Sequence, residues 1–264
     1  MTDQLNLENI TIVLQRPRYP ENIGSAARAV SNMGIGQLWI VDPENYDLAQ
    51  VNKLATHAAA AAVAGIRIFP DLKTALAGFN YVVGTTARRG GQRPVLHSPE
   101  VMAAKLAPLS RENRIALVFG PEDRGLTNED LRLCHQLVHI PTAEFSSINL
   151  AQSVMILSYE LFKASLKEAD AFAPRLANRH ELDGMYDQVK DILVRIHYIN
   201  PENPDYWMNK IRRFLNRLQL RAREVSIIRG ICRQIDWYAG KKYRDGVLAG
   251  QGENQGTEES PCDS

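Results

Sequence analysis

Residues 145–153 have the sequence FSSINLAQS and lie between a short apolar strand pattern and a long helical pattern. The strand is predicted over residues 137–140 and is followed by Pro141. Ser147 and Asn149 stand where the next helix begins. Residues of these types at that place either cap the helix or hold a polar small molecule, together with free backbone N–H groups. The stretch alone does not decide between these two roles.

Two further polar, glycine-bearing loops follow predicted strands. The first is PENIGSAAR, residues 20–28, after a strand over residues 10–15. The second lies within VFGPEDRGL, residues 118–126, where a strand over residues 114–119 ends. Strand and helix patterns alternate through the first 167 residues, which predicts an α/β fold with a mostly parallel sheet and helices on both faces. One alanine-rich helix is predicted over residues 53–64, and caps of later helices are predicted at Asp71, at Ser98 and at Thr127 with Asp130. Ligands of such sheets bind at the carboxyl ends of the strands, where all three loops are expected.

Together the three loops resemble the ordered motifs of the SPOUT (trefoil-knot) RNA 2′-O-ribose methyltransferases. The matching patterns are Pro-x-Asn-Ile-Gly-x-x-x-Arg, then Phe-Gly-x-Glu-x-x-Gly-Leu, then Ile-Pro followed by Ser-x-Asn-Leu-x-x-Ser. The resemblance covers residues 8–165, without departure at the defining positions. It implies a C-terminal trefoil knot in this domain, which periodicity would never predict. With its helical extension, the whole chain resembles the TrmJ-type tRNA methyltransferases of the anticodon loop.

The resemblance implies S-adenosylmethionine as the methyl donor, in a pocket built from loops that follow strands. Carried over residue by residue, the cofactor-binding positions are Thr85, Thr86, Ala87, Gly120, Ile140, Ser147, Ile148, Asn149 and Leu150. Gly120 and Gly125 would let the backbone approach a ligand closely, or they serve only the turn.

The first motif provides the two candidates for catalysis, Arg28 and Asn22. Arg28 matches the family's motif arginine, which is implicated in handling the ribose hydroxyl. A guanidinium stays protonated, so we favour orientation and charge stabilisation of the target phosphate or nascent alkoxide, while a literal general base stays open. Asn22 is expected to brace Arg28, to contact RNA or to cap its helix. Glu122 is expected to organise its loop through backbone N–H groups.

Charge is unevenly distributed along the chain. Residues 205–244 carry 11 Lys and Arg against 3 Asp and Glu, whereas residues 1–204 carry 20 against 22. Such a basic block indicates a polyanionic partner or a solvated helix face, and the resemblance implies tRNA. Tyr19 is a candidate for stacking on a base. The candidate RNA-binding arginines are Arg16, Arg18, Arg88, Arg89, Arg93, Arg213 and Arg217.

Four segments are predicted: a methyltransferase domain over residues 1–167, a linker over 168–180, a basic all-helical domain over 181–240 and a disordered tail over 241–264. No apolar run reaches the roughly 18 residues of a membrane span, and the N-terminus lacks signal-peptide features. The three cysteines are widely separated, which favours a reducing cytoplasm over a disulfide framework. His135 and His139 would suit a metal only within one helix, so no metal is expected.

The favoured interpretation is a homodimeric tRNA methyltransferase that modifies the ribose 2′-hydroxyl of nucleotide 32, a cytidine or uridine. The resemblance implies that its active site forms where two knotted domains meet. Whether purines are accepted stays open, because the 2′-hydroxyl is common to all nucleotides. The alternatives are the same chemistry on ribosomal RNA and a non-catalytic RNA-binding protein of the same fold.

Overall fold

A computed structural model describes residues 4–87, 96–144, 147–166 and 174–253 of the chain. The chain divides into two compact units. The first comprises residues 1–181 and 213–222, and the second comprises residues 182–212 and 223–264.

The first unit contains seven strands in its described part, and all of them pair in parallel. They are β1 (Ile10–Gln15), β2 (Gln37–Val41), β3 (Arg67–Phe69), β4 (Tyr81–Thr85), β5 (Leu96–His97), β6 (Ile115–Phe119) and β7 (Gln136–Val138). Their order across the sheet is β3-β2-β1-β6-β4-β7-β5. The carboxyl ends of β1, β6, β4 and β7 therefore stand side by side at one edge, as the sequence predicted for the motif loops.

Helices connect these strands. They are α1 (Pro20–Asn32), α2 (Leu48–Ala55), α3 (Ala60–Ala64), α4 (Leu72–Leu76), α5 (Pro99–Leu109), α6 (Asn128–Arg132) and α7 (Leu150–Ser165). Alternate residues of each central strand face opposite sides, so Ile12 of β1 joins one apolar core and Val13 joins the other. The prediction of a parallel sheet with helices on both faces is confirmed.

Local capping signals were predicted more accurately than helix lengths. Asp71 caps α4, Ser98 caps α5, and Thr127 and Asp130 form the predicted capping box of α6. The single helix predicted over residues 53–64 is wrong. Thr56 has φ 59°, outside the right-handed helical region, and it separates α2 from a short 3₁₀ turn and α3.

Residues 174–180, part of the predicted linker, belong to the first unit and are hydrogen-bonded within it. The backbone of Leu176 accepts a hydrogen bond from Asn80 Nδ2 (2.7 Å) and donates one to Asn113 Oδ1 (2.6 Å). Arg179 N then donates to the carbonyl oxygen of Phe79 (2.9 Å). Leu176 is buried among apolar core residues of the same unit. The described part of this segment is thus packed and hydrogen-bonded, unlike a free connection.

Three helices follow: α8 (Arg179–Arg195), α9 (Pro204–Asn216) and α10 (Ala222–Glu253). The all-helical character predicted for this region is observed. However, α10 continues through Glu253, although a disordered tail was predicted from residue 241. Residues 241–245 contain Lys, Tyr and Arg and no proline, so they continue the helix without a steric break. The trefoil knot remains a prediction, because residues 88–95 and 145–146 lie outside the described part.

Candidate functional site

A cleft of about 470 Å³ opens at the carboxyl edge of the sheet, where the three motif loops meet. It is lined by Tyr19, Glu21, Asn22, Glu122, Ser147, Ile148 and Asn149. These residues come from the start of α1, the loop after β6 and the segment before α7. Residues separated by more than a hundred positions in sequence therefore share one surface.

A directed chain of hydrogen bonds joins the three loops across this cleft. Asn149 caps α7, because its Oδ1 accepts two backbone N–H groups of the first helical turn. Its Nδ2 donates to Asn22 Oδ1 (3.0 Å), and Asn22 Nδ2 donates to Glu122 Oε1 (2.7 Å). The other carboxylate oxygen of Glu122 accepts the backbone N–H of Arg18 (3.1 Å). Both ends of the chain are backbone donors, so its direction is fixed and an acceptor-only side chain must stand at position 122.

This arrangement excludes two of the three roles left open for Asn22. The residue before α1 is Tyr19, whose side chain makes no capping hydrogen bond, and Asn22 lies inside the helix. Asn22 is thus neither the N-cap nor a brace for Arg28; it connects Glu122 to Asn149. Its contact with RNA stays a prediction.

Glu122 does accept a backbone N–H group, as predicted, but the group belongs to the β1–α1 loop and not to the loop of Glu122 itself. Glu122 therefore joins two loops instead of organising one. Sequence spacing could not reveal this pairing, since the partners are about a hundred positions apart.

The predicted cofactor loops lie beside this cleft at the ends of β4, β6 and β7. Thr85 Oγ1 donates to the carbonyl oxygen of Val118 (3.1 Å), and Thr86 N donates to that of Val138 (3.0 Å). Nδ1 of His139 lies 3.0 Å from the carbonyl oxygen of Thr86, which can only accept, so Nδ1 carries the proton. The loop from residue 85 to 87 is thereby fixed between its two neighbouring strands, with Ala87 exposed.

Gly120 is required by close backbone contact. A Cβ atom at this position would lie 2.2 Å from the backbone nitrogen of Leu126 and 2.3 Å from the carbonyl carbon of Gly125. Gly125 itself has φ 67°, which favours glycine. Both glycines therefore shape the tight loop after β6 that carries Glu122. Among the remaining predicted cofactor residues, Ile140 and Ile148 are half-buried, Leu150 is buried and Ser147 is exposed.

Arg28, the other candidate for catalysis, lies on α1. It is exposed on α1, on the same helical stripe as Glu21 and Ser25, and it does not line the cleft. Within the described residues it has no hydrogen-bond or ion-pair partner. A free guanidinium on this stripe is available to a ligand or to another chain.

Arg16 and Arg18, predicted to contact RNA, are already paired with carboxylates. Arg16 Nε lies 3.2 Å from Asp42. Arg18 pairs with Glu44 (3.0 Å) and Asp123 (3.3 Å), and these carboxylates, Glu44 first, raise the pKa of Arg18. Their positive charge is thus partly neutralised within the chain. Arg213 and Arg217 are exposed, whereas Arg88, Arg89 and Arg93 lie outside the described residues.

His135 and Cys134 are structural. His135 Nδ1 accepts the backbone N–H of Val82 (3.0 Å), and its ring stacks on Tyr81. Burial, and then Arg179, lower the pKa of His135 to about 3, so the imidazole is neutral at pH 7. Burial raises the pKa of the Cys134 thiol to about 12. No group of three His, Cys, Asp or Glu in the described ranges could hold a metal ion.

Comparison with known proteins agrees with this geometry. The profile of the SpoU rRNA Methylase family matches residues 9–159, which is more than half of the chain. The chain belongs to this family. A second profile, "tRNA methyltransferase TrmJ, C-terminal domain", matches residues 180–245, so the chain is a TrmJ-type member. The predicted resemblance and the predicted enzyme class are confirmed at this level.

Curated TrmJ proteins are similar over most of this TrmJ-type chain. The tRNA (cytidine/uridine/adenosine-2′-O-)-methyltransferase TrmJ of Pseudomonas aeruginosa is 36% identical, over 85% of this chain and 93% of the relative. The tRNA (cytidine/uridine-2′-O-)-methyltransferase TrmJ of Klebsiella pneumoniae is 34% identical, over 87% and 97%. The crystal structure of TrmJ from Z. mobilis superposes with a TM-score of 0.73 at 29% identity, covering 86% of this chain and 98% of that one.

No helix in the described part of the chain combines the length and the apolar character needed to cross a membrane.

Proposed function

We propose that the protein transfers a methyl group from S-adenosylmethionine to the ribose 2′-hydroxyl of nucleotide 32 in the tRNA anticodon loop. Cytidine and uridine are the proposed target bases. The names of the relatives support tRNA and the 2′-hydroxyl, and one of them adds adenosine. The proposed place of action is the cytoplasm, where tRNA substrates are found.

The observation that carries the proposal is the hydrogen-bonded chain from Arg18 N through Glu122 and Asn22 to Asn149. Ribose methylation requires that a weakly nucleophilic hydroxyl be held in line with the methyl donor. Such positioning needs a rigid surface where the cofactor-binding and substrate-binding loops meet. The hydrogen-bonded chain supplies such a surface, because the backbone groups at its two ends fix the donors and acceptors of each amide group.

The loop ends at β4, β6 and β7 suit S-adenosylmethionine chemically. Ile140, Ile148 and Leu150 offer apolar surface, while the tight turn at Gly120 brings backbone polar groups to the same edge. The proposed cofactor-binding positions are completed by Thr85, Thr86, Ala87, Ser147 and Asn149. When bound, the cofactor supplies a methyl group on a sulfonium, which is the electrophile of the reaction.

The proposed role of Arg28 is to orient the target nucleotide and to stabilise negative charge on the ribose oxygen or the adjacent phosphate. Its free guanidinium presents five N–H donors in a planar fork and carries a positive charge. Asn22 holds the hydrogen-bonded side chains of Glu122 and Asn149 in place behind the ribose oxygen. The proton leaves through water or the neighbouring phosphate, since the described residues that line the cleft include no imidazole.

A homodimer is part of the proposal. Arg28 does not line the cleft of its own chain, and α1, which carries it, packs beside α7. On α7 the apolar side chains Ile156 and Tyr159 are exposed. A second copy covering this face would bury apolar surface and bring Arg28 toward a partner's cleft.

Methyl transfer from labelled S-adenosylmethionine tests the proposal, with unmodified tRNA and ribosomal RNA as separate substrates. The methylated ribose is then mapped. Label at nucleotide 32 of tRNA is the expected result. Label on ribosomal RNA alone would mean that ribosomal RNA, and not tRNA, is the substrate. Stoichiometric cofactor binding without label on any RNA would contradict the enzymatic role. The proposed RNA contacts of Arg16, Arg18, Arg88, Arg89, Arg93, Arg213 and Arg217 are tested by alanine substitution and tRNA affinity.

A further inference from the structure

A six-residue pattern occurs twice in the second unit, once on α9 and once on α10. Residues 205–210 have the sequence DYWMNK, and residues 236–241 have the sequence DWYAGK. Each copy consists of an aspartate, two adjacent aromatic residues and a lysine at the sixth position. The rings are Tyr206 (55% exposed) and Trp207 (40%) on α9, and Trp237 (54%) and Tyr238 (57%) on α10.

The aspartate of each copy is paired with a cation of α8. Lys190 Nζ lies 3.1 Å from Asp205, and Arg195 forms an ion pair with Asp236. These bridges link α8 to the start of the first pattern and to the start of the second. The aspartates therefore serve the packing of the three helices, and their negative charge is compensated locally.

The lysines of the two copies face aromatic rings instead of carboxylates. Lys210 Nζ lies 4.4 Å from the ring centroid of Tyr206 and 4.6 Å from that of Trp207. On α10, Lys241 lies 5.4 Å from the Trp237 ring, and the adjacent Lys242 lies 5.9 Å from the Tyr238 ring. No carboxylate within the described ranges pairs with these lysines, so their charge is available to an anion.

Helix stabilisation alone accounts for only part of this arrangement. Aromatic and lysine side chains three or four positions apart attract each other weakly on any helix surface. That attraction does not explain why four large rings remain about half exposed, since aromatic surface is normally buried. Nor does it explain why these four rings lie within residues 205–244, the most basic part of the chain.

We propose that the two clusters, Tyr206–Trp207–Lys210 and Trp237–Tyr238–Lys241–Lys242, each bind an unpaired nucleotide of RNA. An exposed ring stacks on the base, and the lysine contacts the adjacent phosphate. Stacking suits any base because every base has a π face, and the two contacts together recognise unpaired nucleotides without reading sequence. This inference rests on the proposed function for the identity of the RNA as tRNA, and it deepens that function by assigning a second contact region.

Binding of fluorescent unmodified tRNA to the full-length protein, measured at several salt concentrations, tests the proposal. Tyr206→Ala and Trp237→Ala should each weaken the affinity by roughly 5- to 100-fold, as expected for one lost stacked base. Their salt dependence should equal that of the wild type. Lys210→Ala should instead lower the slope of log K against log salt by about one, because one phosphate contact is lost.

Two control variants separate stacking from a folding defect. Trp237→Phe keeps an aromatic ring and should retain most of the affinity even if Trp237→Ala does not fold. Tyr243→Ala removes a 75% exposed ring on the same helix that has no described cation over it, and should leave the affinity unchanged. Equal losses in Tyr243→Ala and Trp237→Ala would overturn the assignment of these particular rings.

The outcomes distinguish failure of this inference from failure of the proposed function. Wild-type affinity in both ring variants, with methyl transfer to tRNA intact, overturns stacking alone. Ring-dependent binding of a single-stranded RNA hairpin loop, without methyl transfer to any tRNA, supports stacking and contradicts the proposed function. A changed sedimentation coefficient of the ring variants, with unchanged RNA affinity, would mean that the rings form a protein–protein interface, and it would overturn the inference.

Discussion

Exchanging the side-chain types of Asn22 and Glu122 tests the direction of the hydrogen-bonded chain in the cleft. In Glu122→Gln, the new amide can accept from Arg18 N or from Asn22 Nδ2, but not from both. Its NH2 group must then face one of these donors. Flipping the Asn22 amide would not help, because Nδ2 of Asn22 would then face Nδ2 of Asn149, whose orientation the α7 backbone fixes.

One charge-assisted hydrogen bond at 2.7 Å is lost in this variant. Such bonds contribute about 1.5–3 kcal/mol, and partial exposure of the group reduces this, so we expect the unfolding free energy to fall by about 1–2 kcal/mol. The same loss at the reacting geometry corresponds to roughly a 5- to 30-fold fall in kcat/KM. The control Glu129→Gln changes an exposed glutamate on α6 and should cost less than about 0.5 kcal/mol.

The reverse single change, Asn22→Asp, places two carboxylates next to each other, at the position of the 2.7 Å hydrogen bond from Asn22 Nδ2 to Glu122 Oε1. One of them should take up a proton more readily, so this variant should be less destabilised at pH 5 than at pH 8. The double variant restores every bond. The new carboxylate at position 22 accepts from Asn149 and from the new amide at position 122, and that amide still accepts from Arg18 N.

The assays are urea unfolding and steady-state methyl transfer on all four members of the cycle. We expect the double variant to be more stable than the sum of the two single effects predicts, by about 1–2 kcal/mol, with partial recovery of kcat/KM. Additive losses would refute the directional argument, because the exchange would then have restored nothing.

Arg28→Ala should lower kcat by about 100- to 1000-fold with little change in cofactor affinity by calorimetry, because in its proposed role the guanidinium contacts the ribose and not the cofactor. Loss of both activity and cofactor affinity would instead place Arg28 in the cofactor pocket or in the support of the fold. Gly120→Ala should abolish cofactor binding and lower the melting temperature, since its Cβ would lie 2.2 Å from a backbone nitrogen; an unchanged melting temperature would contradict the tight loop. The folded-state pKa of His135 is depressed to about 3, so between pH 6.5 and pH 3 the unfolded chain binds more protons than the folded chain. The unfolding free energy should therefore fall as the pH falls through this range, by at most about 1.4 kcal/mol per pH unit. His135→Asn, which keeps an acceptor for the Val82 N–H, should flatten this pH dependence in urea unfolding. Tyr159→Glu should shift the sedimentation of the proposed homodimer toward the monomer. An unchanged sedimentation coefficient would exclude this face of α7 as the dimer interface.

The sequence predicted the sheet and the capped helix starts because both depend on local patterns. Alternating strand and helix signals define a parallel α/β sheet, and Asp71, Ser98 and Thr127 each have the local residues that complete a cap. The interrupted helix at Thr56 was missed for the opposite reason. Nothing in the alanine-rich composition signals the positive φ at that position, where tertiary packing overrides local propensity.

The candidate site was predicted as a set of loops, but not as a network. Spacing identified Asn22, Glu122 and Asn149 as members of three motifs that meet at one edge. It could not show that Asn22 connects the other two, because hydrogen-bond direction depends on backbone groups brought together by the fold. Similarly, the pairing of Arg18 with Glu44 and Asp123 is invisible from a count of charges.

The distribution of these charges determines where affinity for a polyanion must arise. Glu21 and Glu122 line the cleft, and the nearby Arg16 and Arg18 are paired with carboxylates. Residues 1–204 as a whole carry more acidic than basic groups. Long-range attraction of the proposed tRNA substrate should therefore come mainly from residues 205–244, where Lys and Arg exceed Asp and Glu by eight. Substitutions of lysines there should change KM and its salt dependence, whereas substitutions in the Glu122 network should change kcat at any salt concentration.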